Sequence, residues 1–112
     1  MKLITAIVKP FKLDEVRQAI TDIGIQGVTV TEVHGYGQLP GRVETYRGAD
    51  YQIDFFPKTK IEIAVDDSIA EQVIEALCNV ARTGGASDGK VWVFELEQAL
   101  RVRTGEIGPE AI

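Results

Sequence analysis

The pattern of strand, helix and strand occurs twice along this chain, at 2–36 and at 58–96, and it limits the folds that the chain can adopt. Each unit combines alternating or β-branched runs with a stretch whose apolar residues recur three and four positions apart. A helix between two such strands buries its apolar stripe against the sheet that the strands form. The repeat therefore predicts two βαβ units that share one core.

The first unit is predicted from its residue types and its breaks. Residues 2–9 are rich in β-branched side chains and stop at Pro10, which cannot donate a hydrogen bond to a sheet. Apolar residues on one face predict a helix over 12–23, and Gly24 follows where a glycine would end it. Residues 28–36 alternate and are predicted to form the second strand.

The second unit is predicted to begin with an alternating strand over 58–66. Asp67 or Ser68 can cap the helix that follows, with Glu71 completing a capping box. The apolar face of that helix consists of Ile69, Val73, Ile74, Leu77 and Val80 or Ala81. The last main strand is predicted over 90–96.

These elements predict an α+β fold of the ferredoxin-like type, βαββαβ, in which a single domain spans residues 1–112. Its helices cover one face of an antiparallel sheet and leave the other face open. Along the first strand, Leu3 and Ile7 point away from the side that Ile4 takes, so both faces are apolar. An exposed apolar face usually marks a binding surface, and we therefore expect a homo-oligomer.

Two segments lie outside these units. The stretch 37–54 contains glycines, a proline, mixed charges and two tyrosines without a sustained period. We expect a long loop there that protrudes as a hairpin, because its two ends are strand-like. The tail 97–112 is expected to begin with a short helical turn at 97–100 and to be polar and lightly ordered beyond it.

Charge and rare residues exclude several classes of protein. The net charge of −5 argues against a nucleic-acid partner, which needs a basic face. No apolar run reaches the ~20 residues that cross a bilayer, and no signal-peptide pattern is present, so we expect a cytoplasmic protein that does not span a membrane. Cys78 is the only cysteine and His34 the only histidine, which leaves no disulfide within the chain and no cluster of histidines for a metal.

The turn TGGASDGK at 83–90 has the composition of an anion-binding loop. Gly84, Gly85 and Gly89 allow main-chain N–H groups to turn inward, and Lys90 adds a positive charge. A plain turn between a helix and a strand would have the same composition. The turn alone therefore leaves both interpretations open.

Further cations and tyrosines are candidate binding groups. Arg101 and Arg103 are two apart, so in an extended segment both guanidinium groups would point to one side, as a polyphosphate requires; an ordinary solvated terminus is the alternative. Tyr51 ends the segment YRGADY, which is either a recognition or modification segment or a hairpin tip with packed aromatic rings. Lys58 is either a partner for a carboxylate or an exposed lysine. No motif of a metalloprotease, a serine hydrolase or a dinucleotide-binding enzyme occurs, so catalysis is not predicted.

Taken together, the motifs resemble the PII signal-transduction family over essentially the whole chain. The matching segments are KPFKLDEVRQAI, GVTVTEV, ETYRGADY, FPKTKIEI, DGKVWVFEL and RVRTGE, in that order. The resemblance implies a homotrimer of ferredoxin-like subunits whose sheets face inward, with a T-loop, here 37–54, projecting from each subunit. It also implies that ATP or ADP binds in the clefts between subunits.

The resemblance assigns nucleotide contacts to single residues. Within the phosphate-binding loop 83–90, Gly89 and Lys90 of one subunit would meet the phosphates, together with Arg101 and Arg103 of its neighbour. The other positions that match the nucleotide cleft are Thr29, Gly35, Gly37, Gln38, Ser87 and Asp88.

Outside these contacts, Lys58 matches a lysine that grips 2-oxoglutarate, and Tyr51 matches a tyrosine that some relatives uridylylate. Leu39 and Pro40 depart from the family, in which a glutamine in place of Leu39 helps to hold the magnesium ion between ATP and 2-oxoglutarate. Leu39 has no ligand atom in its side chain, and Pro40 has no N–H. The sequence therefore argues against the usual joint sensing of Mg-ATP and 2-oxoglutarate.

We expect a trimeric regulator rather than an enzyme. Its nucleotide would act through a different affinity for alternative states of the T-loop, which would control a target enzyme or a membrane transporter. Three alternatives remain from the sequence. They are a divergent paralogue that regulates a transporter of bicarbonate or metal through another small ligand, a slow nucleotide hydrolase, and a structural or metal-tolerance trimer of related fold.

Overall fold

The computed structural model of this protein describes residues 1–36, 43–46, 49–52 and 55–112. Their strands, in chain order, are β1 (Lys2–Val8), β2 (Thr29–Tyr36), β3 (Val43–Tyr46), β4 (Ala49–Gln52), β5 (Phe55–Val65) and β6 (Gly89–Glu95). Helix α1 (Leu13–Asp22) connects β1 to β2, and helix α2 (Ala70–Ala81) connects β5 to β6. The main sheet has the order β2-β5-β1-β6 with antiparallel neighbours throughout. The fold is therefore ferredoxin-like, and both predicted strand–helix–strand units are confirmed.

The two helices pack on the same face of the main sheet. In β1 the side chains of Ile4, Ala6 and Val8 are buried beneath them, and α1 contributes Val16 and Ile20. The core is completed from β5 and α2 by Ile61, Ile63, Val65, Ala70, Val73, Leu77 and Ala81. Burial stabilises the fold by about 1.5–3 kcal/mol for each large aliphatic side chain. Among the described residues, no helix is long and apolar enough to span a bilayer.

The opposite face of the sheet carries large apolar side chains in the open. In the register between β6 and β1, Trp92 lies opposite Thr5 and Phe94 lies opposite Leu3. The side chain of Trp92 is 42% exposed and that of Phe94 is 54% exposed. This is the uncovered apolar face that the sequence predicts, and it supports the expectation of a partner.

The predicted loop 37–54 contains a hairpin. β3 and β4 form a separate antiparallel pair that runs from Val43 opposite Gln52 to Tyr46 opposite Ala49. The hairpin expected within this loop is therefore present in the part of it that the structure describes.

Strand β5 begins at Phe55, earlier than the predicted start at 58. Pro57 lies within the strand, opposite His34 of β2. Strand β1 pairs with β5 only as far as Thr59, so no neighbouring strand lies on that side of Pro57. A proline is tolerated where one side of a strand is unpaired, which is why the predicted boundary was wrong.

The start of the second helix also differs from its prediction. Asp66, rather than Asp67 or Ser68, provides the cap, because its carboxylate accepts hydrogen bonds from the N–H of Ser68 at 3.1 Å and from the Ser68 hydroxyl at 2.6 Å. A short 3-10 turn over Asp67–Ile69 then precedes α2, whose first residue is Ala70. This turn displaces the helix start, and the capping box predicted with Glu71 does not form.

The C-terminal segment is more ordered than predicted. Leu100 pairs with Ile107 in an isolated β-bridge instead of ending a helical turn at 97–100. The N–H of Arg101 donates to the carbonyl of Glu106 at 2.9 Å, and Gly108–Ala111 form a 3-10 turn. These local main-chain hydrogen bonds close the segment on itself, so both expectations for the tail were wrong.

Candidate functional site

The loop between α2 and β6 is organised by one of its own carboxylates. Asp88 Oδ2 accepts hydrogen bonds from the main-chain N–H groups of Thr83, at 2.7 Å, and Gly84, at 2.9 Å. Asp88 Oδ1 accepts a hydrogen bond from the Thr83 hydroxyl and lies 3.2 Å from the Nζ of Lys9. The hydrogen bonds from Thr83, the largest cause, hold the pKa of Asp88 well below its usual range.

This arrangement bears on two glycines of the turn. In the anion-binding interpretation, which the sequence left open beside that of a plain turn, the N–H groups of Gly84 and Gly85 would face a bound anion. Instead the Gly84 N–H donates to Asp88, and the Gly85 N–H donates to the Thr83 hydroxyl at 3.3 Å. Gly84 has φ 89°, which only glycine adopts readily, and this conformation lets the turn fold back onto Asp88. The anion of this turn is therefore a side chain of the protein.

Gly89 brings the first residue of β6 against the backbone of β1. It has φ 121°, and a Cβ added there would lie 1.8 Å from the carbonyl oxygen of Ile7. No side chain fits in that space. Because Gly89 pairs with Val8, the following residue, Lys90, lies opposite Ile7 at the end of the sheet.

Lys58 ties strand β5 to the same loop. Its Nζ donates a hydrogen bond to the main-chain carbonyl of Ser87. Burial lowers the pKa of Lys58, the positive charge of Lys9 lowers it further, and the negative charge of Asp88 opposes both effects. Gly35 of β2 lies beside the lysine stem, since a Cβ added there would be in van der Waals contact with Lys58 Cγ at 3.4 Å.

A cavity of about 420 Å³ opens between the loop and the ends of β2 and β5. Apolar walls come from Ile7 and Trp92, with Tyr36 and Phe56 from the strands that flank the T-loop. Five residues that the sequence predicts as binding residues line it, namely Gly35, Lys58, Ser87, Gly89 and Lys90. The fold thus brings together residues from three distant segments. Two of them, Lys58 and Lys90, supply positive charge.

Asp88 does not line that cavity. It lines a smaller one of about 200 Å³, together with Cys78 and Arg82 of the α2 end. Gly89 and Lys90 border both cavities, so the chain passes between them at this point. Asp88 and Lys58 therefore line different cavities, and Lys90 lies between the two.

Two of the remaining predicted residues lie in another cavity, of about 630 Å³. Thr29 and Arg101 line it, along with Glu62 and Ala64 of β5 and Pro109 near the C-terminus. This cavity shares no lining residue with the one that contains Lys58 and Lys90. On a single chain, the predicted nucleotide-binding residues therefore form two separate groups.

The two arginines lie in a turn, so the condition under which their spacing would point both to one side, an extended backbone, is not met. The N–H of Gly105 donates to the carbonyl of Arg101 at 2.8 Å, which closes the turn. Arg101 Nη1 lies 3.7 Å from a carboxylate oxygen of Glu106. Between the arginines, Val102 is 94% exposed, and Arg103 is exposed as well. The turn presents this segment outward, where a second molecule could meet it.

Some predicted positions lie outside the residues that the structure describes. These are Gly37 and Gln38 of the predicted nucleotide cleft and Leu39 and Pro40 of the predicted departure from the family. For Tyr51, the structure describes the backbone as part of β4. Across the described ranges, no group of three or more His, Cys, Asp or Glu residues is placed to hold a metal ion.

Sequence reasoning missed two contributors to the loop, Lys9 and Thr83. Lys9 Nζ donates to the Thr83 hydroxyl at 3.1 Å in addition to its contact with Asp88. A signal for Thr83 was present, since a threonine and an aspartate that flank two glycines are typical of turns closed by bonds between side chains and main chain. Lys9 directly follows β1, and the pairing of Val8 with Gly89 at the end of the sheet brings it to the loop.

Comparison with known proteins places the chain beside one family. The family model described as nitrogen regulatory protein P-II matches residues 1–106. The nitrogen regulatory protein P-II of Rhodospirillum rubrum is 54% identical over 112 residues, which is the whole length of both chains. The proteins of the same name from Haemophilus influenzae and Rhizobium meliloti are 52% and 54% identical, again over the full length of both.

Proposed function

Since this chain belongs to the nitrogen regulatory protein P-II family, we propose that it controls a target protein in response to an adenine nucleotide held between the subunits of a homotrimer. The relatives are named as regulatory proteins, and the chain is a signal-transduction regulator rather than an enzyme. A regulator needs a ligand site, a second state and a route from one to the other. The fold offers a candidate for each.

The division of the predicted binding residues between two cavities carries this proposal. Lys58, Gly89 and Lys90 face one cavity, while Thr29 and Arg101 face another that shares no residue with it. A ligand that contacts both groups must therefore touch two copies of the chain. The exposed aromatic side chains on the open face of the sheet supply a surface on which copies could associate.

The chemistry of the two cavities suits opposite ends of a nucleotide. Lys90 and the Gly89 N–H would meet phosphate oxygens, and Arg101 of the neighbouring subunit would add a bidentate donor. The cavity beside Thr29 has apolar wall residues such as Ala64 and Val28 and would hold the adenine ring. The ligand would therefore be ATP or ADP, and the subunits would share it.

Both ends of the T-loop lie at the phosphate end of this site. Tyr36 directly precedes the loop 37–54, Phe56 follows it, and both line the same cavity as Lys90. A nucleotide that fits one arrangement of these strand ends better than another would shift the population of loop states. We expect the protein to act in the cytoplasm, with a target enzyme or membrane transporter that contacts the T-loop.

Subunit mixing tests whether the site is shared. Lys90→Ala and Arg101→Ala each should abolish tight ATP binding in a pure trimer, measured by calorimetry. Each mixed trimer of the two variants, prepared by co-expression, contains one cleft in which Lys90 and Arg101 are both intact. Binding should therefore return with about one site per mixed trimer. A site within one chain would stay defective in every mixture, and that result would refute the shared cleft.

The matched control is Arg17→Ala, which removes an exposed arginine of α1. This variant should bind ATP as the unmodified protein does, both alone and in mixtures. If the unmodified protein binds neither ATP nor ADP, the proposed ligand class is wrong whatever the mixing shows.

The departure at Leu39 gives a second test of the ligand set. We expect the unmodified protein to bind 2-oxoglutarate no better with Mg-ATP than without it, because leucine provides no ligand atom for magnesium. Leu39→Gln should create that dependence, measured by calorimetry with 2-oxoglutarate as titrant. Tight binding of 2-oxoglutarate by the unmodified protein with Mg-ATP would contradict this expectation.

A further inference from the structure

The carboxylate of Asp88 lies close to a site that is proposed to bind phosphates. By Coulomb's law alone, a negative charge there weakens the binding of an anion. This carboxylate has a structural role within the turn, because it accepts hydrogen bonds from the Thr83 N–H, the Thr83 hydroxyl and the Gly84 N–H. It also lines a different cavity from Lys58, while Lys90 borders both cavities.

We infer that Asp88 is a positioning residue, which holds the turn 83–88 folded upon itself so that Gly89 and Lys90 are presented to the phosphates. It does not touch the nucleotide. This inference rests on the proposed nucleotide site. It assigns Asp88 a role different from the direct contact that the family resemblance implies.

Lys9 supplies the positive charge that pairs with Asp88. Its Nζ lies 3.2 Å from Asp88 Oδ1 and donates to the Thr83 hydroxyl at 3.1 Å. Both charged side chains are only 21% exposed, so water screens the pair incompletely. Lys9 thus joins the end of β1 to the turn and neutralises Asp88, which lets a carboxylate lie near an anion site without repelling the ligand.

Lys58 fixes the other end of the turn. Its Nζ donates to the carbonyl of Ser87, the residue before Asp88. The turn is therefore fixed at Thr83 and Gly84 through Asp88 and at Ser87 through Lys58. Rigid presentation of this kind raises affinity, because less ordering is left for the ligand to impose.

The direction in which Asp88→Ala changes the affinity for ATP distinguishes a positioning role of Asp88 from a purely electrostatic one. If Asp88 acted only through its charge, Asp88→Ala would tighten the binding of ATP. If Asp88 positions the turn, the same change should weaken ATP binding by about tenfold or more, the scale of one lost charge-assisted hydrogen bond. Asp14→Ala is the matched control, because that carboxylate is 93% exposed on α1. The affinity of the control should equal that of the unmodified protein.

Two further comparisons complete the test by calorimetry. The loss should be the same with and without magnesium, since a carboxylate that held a metal ion on the phosphates would matter only in its presence. Lys9→Met should weaken ATP binding in the same direction. The double variant Lys9→Met with Asp88→Ala should lose no more than Asp88→Ala alone, because both residues act through one contact.

Hydrogen exchange of single amides provides a readout that needs no ligand. In Asp88→Ala the amides of Thr83 and Gly84 should exchange at least about tenfold faster, while those of the core residue Leu77 keep their rates. Should Asp88→Ala fail to fold, Asp88→Asn can replace it, because asparagine retains one acceptor oxygen. It should change the ATP affinity and the exchange rates in the same directions, but by less.

Three outcomes would overturn the inference. They are tighter or unchanged ATP binding by Asp88→Ala in a protein that otherwise binds ATP, a loss confined to magnesium-containing buffer, and unchanged exchange at Thr83 and Gly84. Absence of nucleotide binding by the unmodified protein would instead refute the proposed function, and the exchange rates would still decide whether Asp88 holds the turn.

Discussion

Lys58 donates a hydrogen bond from its amine to the main-chain carbonyl of Ser87, and this contact joins strand β5 to the loop between α2 and β6. The two segments are far apart in the sequence, and this bond joins them directly, in addition to the sheet in which β5 and β6 each pair with β1. A change at either end of this bond is therefore felt at the other.

The first prediction concerns the protonation of Lys58. Its pKa is lowered by burial and by the charge of Lys9, so its Nζ should titrate below the ordinary value of 10.5 in an NMR experiment on labelled lysine. Lys9→Met should raise this pKa because a positive neighbour is removed. Asp88→Asn should lower it further because a negative neighbour is removed. Lys2→Met, at the opposite end of the strand pair β1 and β5, should leave it unchanged.

The lowered pKa of Lys58 also determines how the stability of the protein depends on pH. The unfolded chain binds a proton at Lys58 more tightly than the folded chain does, so the contribution of this group to the free energy of unfolding should rise with pH up to 10.5. A fall in that contribution over this range would contradict the lowered pKa.

The second prediction concerns acid. The pKa of Asp88 is lowered in the folded state, so its stabilising effect is complete above its unfolded value of 3.8 and is lost as the pH falls toward the folded value. The unmodified protein should therefore unfold at higher urea than Asp88→Asn between about pH 5 and 7, at a fixed protein concentration. The difference in urea concentration at the unfolding midpoint should narrow below about pH 4. A difference that widens in acid would contradict the lowered pKa of Asp88.

The third prediction concerns Gly89. In Gly89→Ala the new Cβ would collide with the carbonyl oxygen of Ile7, and the backbone at φ 121° is strained for alanine in addition. The free energy of unfolding should drop by well over about 1 kcal/mol, measured by urea denaturation.

Two other glycines serve as controls for this change. Gly84 also has a positive φ, but nothing lies within 4 Å of the added Cβ, so Gly84→Ala should cost the backbone strain alone. Gly27 has neither constraint, and Gly27→Ala should be close to neutral. Equal losses at Gly89 and Gly84 would show that the contact with Ile7 does not matter.

The fourth prediction concerns the open face of the sheet. Phe94 is 54% exposed there, so Phe94→Glu should leave the helix-covered core intact and prevent self-association. Light scattering should then give the mass of a single chain, and circular dichroism should show unchanged helix content. Asn79→Glu, which adds the same charge on the exposed part of α2, should not alter the assembly. A trimer that persists in Phe94→Glu would place the interface elsewhere.

Periodic elements could be predicted from the sequence, while contacts made by polar side chains could not. The alternation in β5 and the helical spacing in α1 each indicate a buried face, which depends on the residue types themselves. The turn 83–90 has no such period. Its composition indicates that main-chain N–H groups are available. Only the folded chain shows that two of them donate to Asp88 and that Lys9, which follows β1, pairs with the same carboxylate.

The direction of the two arginines, Arg101 and Arg103, likewise could not be predicted from the sequence. Their spacing predicts one common direction only if the backbone is extended, and the chain instead turns at Gly105, which has φ 75°. Pro57 misled the boundary of β5 because the sequence does not reveal that β1 ends before reaching it. In both cases the missing information is which neighbour a main-chain group has.

The separation of Thr29 and Arg101 from Lys58 and Lys90 has a consequence for any binding measurement. A nucleotide that bridges two chains acts as a cross-link, so its apparent affinity depends on the protein concentration. Dilution would abolish binding although every residue of the site is intact. In return, saturating nucleotide would hold the subunits together at concentrations where they otherwise dissociate.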